Sequence, residues 1–308
     1  MTEPADMADC LIVGGGPAGL TAAIYAARFR LKTVVADAGA SRAALIPCTR
    51  NHAGFPDGIS GVELLDRMWA QAIRFDVQAR HRRVLTLSGQ AGGFTARLAG
   101  GETLRARAII LATGVSNHRP DMDDELHTLA LQRGLLRYCP VCDGFEVTDR
   151  NVGVIGEGAR AVKEATFLRA YTRRVTVIAP TADLGLDASQ TSALAAIGVT
   201  VVPGPATDFR IEAAGLSLLA ADRRLTFDSV YPALGSTVQS DLAASLGADL
   251  TQDRCIKVDA HQRTSVEGLY AAGDVVIGLD QISHAMGEAG VAATTLRNDL
   301  ADAAPRLR

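Results

Sequence analysis

Apolar residues occur along the chain in short runs that are separated by glycine turns and by longer, alanine-rich stretches. Near the start, an apolar run at 10–13 precedes a glycine-rich turn at 14–19 and an alanine-rich stretch from Leu20 to Phe29. A second apolar run follows at 33–36. Short apolar runs bounded by glycine are typical of buried strands, whereas the longer stretch suits a helix. This order predicts one βαβ unit of about 30 residues.

The same order of elements occurs a second time along the chain. It predicts a strand at 151–155, a turn at 156–158, a helix at 159–171 and a strand at 175–178. The two units align without a gap, and the aligned pairs are Gly14 with Gly156, Gly16 with Gly158, and Gly19 with Ala161. Such a repeat indicates an internal duplication. The predicted fold class is therefore α/β, with two Rossmann-like dinucleotide-binding domains, the second inserted in the first.

The remaining apolar runs set the expected domain limits. Further strands are predicted at 108–112, 230–233 and 269–272, and a long C-terminal helix at 282–300. Because strands on both sides of the second unit complete the first one, we expect one domain to comprise 1–117 and 241–308. The inserted domain is expected to comprise 118–240.

Composition and charge exclude several functional classes. The 308 residues are 48% hydrophobic and 21% charged, with a net charge of −3, as in ordinary globular proteins. The chain has neither a basic patch nor an apolar stretch of about 18 residues, so we expect no nucleic-acid partner and no membrane span. The acidic segment 1–9 does not resemble a targeting peptide. The five cysteines, an odd and sparse set, argue against a secreted disulfide framework and favour the cytoplasm.

The first glycine turn has the spacing Gly14-x-Gly16-x-x-Gly19 between a strand and a helix. The three glycines permit a tight turn, close approach of a pyrophosphate, and close packing of helix and strand. Asp37 follows the next strand, where a carboxylate can accept hydrogen bonds from ribose hydroxyls. The alternative is a glycine turn in a sheet that binds no ligand. The candidate phosphate-binding residues are Gly14, Gly16, Pro17, Ala18 and Gly19.

A cysteine pair stands in the inserted domain, in the segment Cys139-Pro-Val-Cys142-Asp143-Gly. Two cysteines at this spacing can exchange two electrons as dithiol and disulfide. Asp143 is suited to proton transfer, provided that burial raises its pKa. The alternatives are half of a zinc site, which would need a second ligand pair that the sequence lacks, and two inert buried thiols.

Together these motifs resemble those of the low-molecular-weight thioredoxin reductases. The matching segments are 14–19, Asn51 with 54–56, 112–114, 139–144 and 271–274, in family order and at similar spacing over nearly the entire chain. The resemblance implies an FAD domain that is split by an inserted domain carrying the cysteine pair and a pyridine-nucleotide site. It also implies a homodimer.

The resemblance implies further flavin contacts. Gly273 and Asp274 match a second FAD fingerprint, in which the aspartate contacts the ribityl or phosphate region. A turn aspartate that caps the next helix is the alternative. By the same resemblance, Asn51 lies near the flavin ring, and Gly114 lies in a matching FAD segment. Gln281 and Ile282, at the start of the last helix, contact the flavin, and the positive end of that helix faces the ring where negative charge develops.

The resemblance also assigns chemistry to the cysteine segment. Cys142 faces the flavin, Cys139 attacks an external disulfide, and Asp143 is the acid. The external substrate is a thioredoxin-like protein or a small-molecule disulfide or dithiol.

The second glycine motif departs from the family's NADPH site. Ala179 stands where the first unit has Asp37, and Pro180 and Thr181 replace the basic run that would hold a 2′-phosphate. Glu157 adds a negative charge inside the loop, where repulsion at about 4 Å costs about 1 kcal/mol in water and more when shielded. We therefore expect a donor or acceptor other than NADPH: a protein, a second flavin or oxygen.

Three functions thus compete. The first is an FAD-dependent thiol–disulfide oxidoreductase that does not use NADPH, similar to a reductase-like subgroup with a degraded nucleotide site. The second is an NADPH-dependent thioredoxin reductase. The third is a non-catalytic flavoprotein that acts as a redox sensor.

Overall fold

The computed structural model of the protein describes residues 7–304. Most of the acidic segment 1–9, on which the targeting prediction was based, lies outside these residues, as do the last four positions of the chain. Among the described residues, no helix combines the length and hydropathy that crossing a bilayer requires.

The described residues form sixteen strands and eight α-helices. The strands are β1 (Met7–Val13), β2 (Thr33–Ala36), β3 (Gln78–Arg80), β4 (Val84–Ser88), β5 (Phe94–Leu98), β6 (Thr103–Leu111), β7 (Val115–Asn117), β8 (Asn151–Gly156), β9 (Arg174–Ile178), β10 (Thr200–Val202), β11 (Thr207–Glu212), β12 (Gly215–Ala220), β13 (Arg223–Phe227), β14 (Ser229–Ala233), β15 (Ser236–Val238) and β16 (Leu269–Ala271). The helices are α1 (Pro17–Arg28), α2 (Gly61–Ile73), α3 (Asp124–Gln132), α4 (Pro140–Asp143), α5 (Gly158–Leu168), α6 (Ala188–Ala196), α7 (Asp241–Ser245) and α8 (Ile282–Ala303). Two 3₁₀ turns cover Arg42–Leu45 and Gly144–Val147.

The chain divides into two compact units. The first contains the residues up to Ala44, then Gly61–Ser116, and those from Val238 onward. The second contains Leu45–Ser60 and Asn117–Thr237. The second unit thus interrupts the first, and it also includes a short loop from the earlier part of the chain.

The first unit is built on a sheet whose parallel strands run in the order β3-β2-β1-β6-β16. β5 pairs antiparallel with the first half of β6, and β4 pairs with β5. Side chains of β1 alternate between two cores: Cys10 and Ile12 pack with α1 and α8, whereas Leu11 and Val13 pack with β5 and Ile256. Because both faces are covered, the strand is continuously apolar from Cys10 to Val13, as is typical of parallel sheets.

The second unit repeats this arrangement on a smaller scale. Its parallel sheet has the order β10-β9-β8-β14, and a separate antiparallel sheet has the order β11-β12-β13. Val152 and Val154 of β8 face a core that includes residues of α5, and Ile155 faces a second core that includes Phe209 of β11. Each predicted βαβ unit is therefore confirmed as strand, helix and parallel strand.

Predicted and observed element limits differ at the ends of strands and helices. β1 begins at Met7 rather than at 10, and β6 begins at Thr103 rather than at 108. The helix predicted at 159–171 begins at Gly158 and ends at Leu168. Beyond it, the guanidinium of Arg169 donates from Nε to the Ile197 carbonyl at 2.6 Å, which anchors the turn toward β9. The C-terminal helix extends to Ala303, three residues beyond its predicted end.

Candidate active site

The first glycine turn brings β1, α1 and β6 together. Gly14 has φ +111°, and a Cβ there would lie 2.2 Å from the Ala112 carbonyl oxygen. A Cβ on Gly19 would lie 1.9 Å from the Gly14 carbonyl oxygen. The chain can therefore pass this point only with glycine at both positions. The consequence is a backbone surface without side chains at the start of α1.

Asp37 lies at the edge of this turn. Its Oδ1 accepts a hydrogen bond from the Gly15 amide at 3.0 Å, which fixes the carboxylate beside the loop. Gly16 precedes α1 as its N-cap without a side-chain hydrogen bond, and Pro17 is the first helical residue. Amides at the start of a helix that no side chain caps are suited to binding a phosphate.

The second predicted fingerprint packs directly on the first. Gly273 has φ +80°, and a Cβ there would lie 2.8 Å from the Cβ of Ala18. The Gly273 amide donates to Glu288 Oε2 of α8 at 2.8 Å. Asp274 forms an ion pair with Arg42 at 2.6 Å. Two motifs that lie far apart in sequence thus share one edge of the sheet in the first unit.

Most other predicted flavin residues lie in the same unit. Gln281 is the N-cap of α8 and Ile282 its first residue. Gly114, with φ +63°, follows Thr113, whose hydroxyl donates to the Gln239 carbonyl at 2.6 Å. Asn51 belongs to the second unit, where its Oδ1 accepts from the Thr49 hydroxyl at 2.8 Å.

Residues that the sequence analysis did not select complete this edge. Arg42 contacts both Asp274 and Asp280, and Glu288 also pairs with His284 at 3.0 Å. Arg42, Asp280 and Glu288 lie on separate segments, so no local motif joins them. The i, i+4 spacing of His284 and Glu288 on one helix was the only available signal. The uncapped amides, the two fingerprints and the fixed Asp37 fit an FAD pyrophosphate and ribose.

The cysteine pair lies in the second unit as a disulfide. Cys139 is the N-cap of α4, and Cys142 lies in its only turn. Cys139 Sγ accepts a hydrogen bond from the Cys142 amide at 3.1 Å. Both cysteines are half-buried, whereas the intervening Val141 and the following Phe145 are exposed. The pair can therefore exchange two electrons with an external thiol, by opening its disulfide to two thiols and closing it again.

The Asp143 carboxylate accepts two hydrogen bonds from side chains. The Tyr231 hydroxyl donates to Oδ1 at 2.8 Å, and Arg137 Nη1 donates to Oδ2 at 2.9 Å. Burial raises the pKa of Asp143, and the opposing effects of Arg137 and Tyr231 do not reverse that shift. The condition for an acid role, a pKa raised by burial, is therefore met.

A second carboxyl with a raised pKa lies near this group. Burial and the charge of Asp143 raise the pKa of Glu164 on α5 to about 7. Next to Cys139 in sequence, the Tyr138 hydroxyl lies 2.9 Å from His127 Nε2. Burial lowers the pKa of His127 to about 4, so its ring is neutral at pH 7. Among the described residues, no group of three His, Cys, Asp or Glu side chains could hold a metal ion.

Known proteins share this combination of motifs. The family model described as "Pyridine nucleotide-disulphide oxidoreductase" matches residues 8–289. This chain belongs to that family. A thioredoxin reductase of Mycolicibacterium smegmatis is 33% identical over an alignment of 282 positions that covers 87% of this chain and 88% of that protein. The bifunctional thioredoxin reductase/thioredoxin of Mycobacterium leprae is also 33% identical, over 87% of this chain and 60% of that longer protein.

A solved structure agrees with the fold. The thioredoxin reductase of Streptococcus pyogenes superposes with a TM-score of 0.87 at 27% identity, over 97% of this chain and 100% of that one. The protein is thus an FAD-dependent disulfide oxidoreductase related to thioredoxin reductases. The predictions of fold class, family, enzyme class and FAD are confirmed.

Within this oxidoreductase, the two glycine loops differ in conformation. In the first loop Gly14 has a positive φ and α1 begins at Pro17. In the second loop Gly158 has φ +54° and is itself the first residue of α5, and its amide donates to the Leu184 carbonyl at 2.7 Å. Gly156 serves packing, because a Cβ there would lie 2.9 Å from the Cβ of Ala233.

Side chains around the second loop also differ from the first. Glu157 is exposed at the N-cap of α5. Ala179, at the position of Asp37, is fully buried, and so it offers no polar group to a ribose. Leu184 is buried in the core beside α5, which holds the 180–187 segment over the start of this helix.

Proposed function

We propose that this oxidoreductase exchanges two electrons between FAD and the Cys139–Cys142 disulfide without taking them from NADPH. The observation that carries the proposal is the hydrogen bond from the Gly158 amide to the Leu184 carbonyl at 2.7 Å. A nucleotide's phosphates bind to free amides at such a helix start. Here the Leu184 carbonyl accepts the hydrogen bond of the Gly158 amide in place of a phosphate oxygen. The buried Ala179 and the acidic Glu157 support the same conclusion.

The chemistry of the pair requires two electrons and two protons for each disulfide that becomes two thiols. FAD, when bound, supplies or accepts the electron pair. We assign proton transfer to Asp143, exchange with the flavin to Cys142, and attack on the external disulfide to Cys139. Attack requires a thiolate, so the pKa of the attacking thiol must be matched to the working pH.

Anaerobic mixing of the FAD-loaded protein with NADPH tests the donor. We expect the visible flavin absorbance to stay unchanged with NADPH and to bleach with excess reduced dithiothreitol. A Cys142→Ser variant should lose the bleaching by dithiothreitol, since the pair passes those electrons on. Rapid bleaching by NADPH would overturn the proposal, whatever the dithiol does.

An NADPH-dependent thioredoxin reductase is the second candidate. Its support is that relatives of similar length are named thioredoxin reductases, at 33% identity in the case of M. smegmatis. Rapid bleaching by NADPH in the same experiment would establish it. A redox sensor without turnover is the third candidate. It would be favoured over both enzymes by a wild-type protein whose flavin a dithiol reduces but which turns over no external disulfide.

We further propose a thioredoxin-like protein as the disulfide partner, because the M. leprae relative combines both activities in one chain by name. A small-molecule disulfide or dithiol is the alternative. Without NADPH, electrons would be exchanged with a protein donor, a second flavin or oxygen. The family resemblance supports a homodimer. The sparse, odd set of cysteines supports a location in the cytoplasm.

A further inference from the structure

Two donors converge on Asp143 from different parts of the second unit. Arg137 precedes the cysteine pair and reaches forward to Oδ2, whereas Tyr231 reaches Oδ1 from β14. Both oxygens of the carboxylate are therefore occupied by donors, one of them charged. Charge-assisted hydrogen bonds of this kind are shorter and stronger than neutral ones.

Each donor is itself held in place. Arg137 Nε donates to the Gly134 carbonyl at 3.0 Å and to Ser229 Oγ at 3.2 Å. The Ser229 hydroxyl in turn donates to the same Gly134 carbonyl at 2.6 Å. Tyr231 is fully buried, so its hydroxyl has little freedom to turn away. The two donors thus form a rigid pair of contacts, which we call the Asp143 clamp (Arg137 and Tyr231).

The clamp acts against the other groups around Asp143. Burial and the charge of Glu146, in the adjacent 3₁₀ turn, raise the pKa of Asp143, while Arg137 and Tyr231 lower it. Glu164 on α5 is coupled to Asp143 by charge. Arg137 is the cation that directly contacts this carboxylate, and an opposite charge at such a distance lowers a carboxyl pKa by about 1–3 units.

We propose that Arg137 and Tyr231 are positioning residues that fix the carboxyl of Asp143 and set the pH range over which it can give a proton to the cysteine pair. The inference rests on the proposed thiol–disulfide exchange through this pair. In the step concerned, a dithiol thiolate attacks one cysteine sulfur and forms a mixed disulfide as the Cys139–Cys142 bond breaks. The leaving cysteine sulfur takes the proton of Asp143, which solvent later restores. The second thiol of the dithiol then displaces the bound cysteine, so the dithiol is oxidised to a disulfide and the pair is reduced to two thiols.

The test is the pH profile of disulfide reduction in the FAD-loaded protein. Reduction by dithiothreitol is stopped with acid at set times. The thiols are then labelled with a maleimide and counted by mass spectrometry, which gives the rate of reduction. The rate is divided by the dithiothreitol thiolate concentration at each pH. The remaining fall in rate with rising pH reports loss of the Asp143 proton, and Asp143→Asn should abolish that fall.

The clamp variants should move this fall in a defined direction. In Arg137→Met, burial raises the pKa of Asp143 without an opposing cation. The midpoint of the fall in rate should therefore move up by about one pH unit or more. Arg137→Lys should restore part of the shift, because it keeps the charge. Tyr231→Phe should give a smaller rise. Arg133→Met, an exposed arginine at the end of α3, is the matched control and should keep the wild-type midpoint.

The outcomes separate the two proposals. Equal midpoints in wild type, Arg137→Met and Tyr231→Phe would overturn the clamp while leaving the proposed function in place. A wild-type disulfide that dithiothreitol does not reduce would instead overturn the proposed function. If Arg137→Met does not fold, Arg137→Lys and Tyr231→Phe decide, and an unshifted midpoint in both rejects the clamp.

Discussion

Burial determines the chemistry of single carboxyls beside the cysteine pair. Burial raises the pKa of both Asp143 and Glu164. The Arg137 guanidinium opposes the shift at Asp143, whereas the charge of Asp143 adds to the shift at Glu164. Neighbouring groups whose pKa values are shifted by burial and by charge are typical of functional sites. The sequence indicated Asp143 through its neighbour Cys142, but it gave no sign of Glu164, since helix α5 meets α4 only in the folded chain.

The raised pKa of Glu164 predicts a specific pH dependence of stability. Its folded pKa of about 7 exceeds the ordinary value of 4.5, so the ionised form disfavours the fold. The associated stability is fully present below pH 4.5 and is lost as the pH rises through about 7. At pH 8, the free energy of unfolding of Glu164→Gln should therefore exceed that of wild type by about 1–3 kcal/mol. Below pH 4.5 the variant should have no such advantage.

Urea unfolding at both pH values measures this difference. Glu125→Gln, which removes an exposed carboxyl on α3, provides the baseline. A gain for Glu164→Gln that is the same at both pH values would contradict the pKa explanation.

At the scale of elements, small residues let the FAD-binding segments approach one another. Alanines of α1 and α8 form a common core, which includes Ala22, Ala26, Ala289 and Ala292. The turn after β16 approaches α1 in the same way, through Gly273 and Ala18. Close packing of this kind requires side chains of minimal volume.

Gly273→Ala should therefore weaken FAD binding. An added methyl group would push the second fingerprint away from the first, because its Cβ would lie 2.8 Å from that of Ala18 at φ +80°. We expect the purified variant to hold less flavin and to release it at lower urea concentration. Gly247→Ala is the matched control: it has φ +81° and no atom within 4 Å of the added Cβ, so it carries the backbone strain without the clash. Equal flavin content in the two variants would show that packing at Gly273 does not matter.

The predicted elements lie close to the observed ones where the apolar pattern was continuous. β2 matches its predicted limits, and β8 exceeds its prediction by only one residue. Other limits were less accurate: β6 begins five residues before its predicted start, α5 ends three residues before its predicted end, and α8 ends three residues after. Helix ends fray, so their exact limits are the least certain part of a helix.

At the scale of the whole molecule, duplication and insertion explain the topology. Two βαβ units of similar design each build a parallel sheet, and the second interrupts the first. The two copies differ in their loops. No side chain caps either helix start, but at α5 the Gly158 amide donates to the Leu184 carbonyl. This difference is the basis of the proposal that only the first copy holds a dinucleotide.

The proposed homodimer predicts a mass in solution of about twice the 32.2 kDa of the chain. Sedimentation equilibrium of the FAD-loaded protein at several concentrations measures this mass. A single species of one chain at all concentrations would contradict the dimer and would leave the cysteine chemistry unaffected.

The sequence by itself determined the duplicated α/β plan, the FAD fingerprint and the redox pair, because these depend on short-range patterns: apolar period, glycine spacing and two cysteines one turn apart. Only the tertiary structure revealed that Arg137 and Tyr231 converge on Asp143. It also showed that Gly273 packs against Ala18, and that the Leu184 carbonyl accepts a hydrogen bond from the Gly158 amide. These contacts join residues on different elements. Their partners are selected by how the sheets and helices pack, which no local pattern encodes.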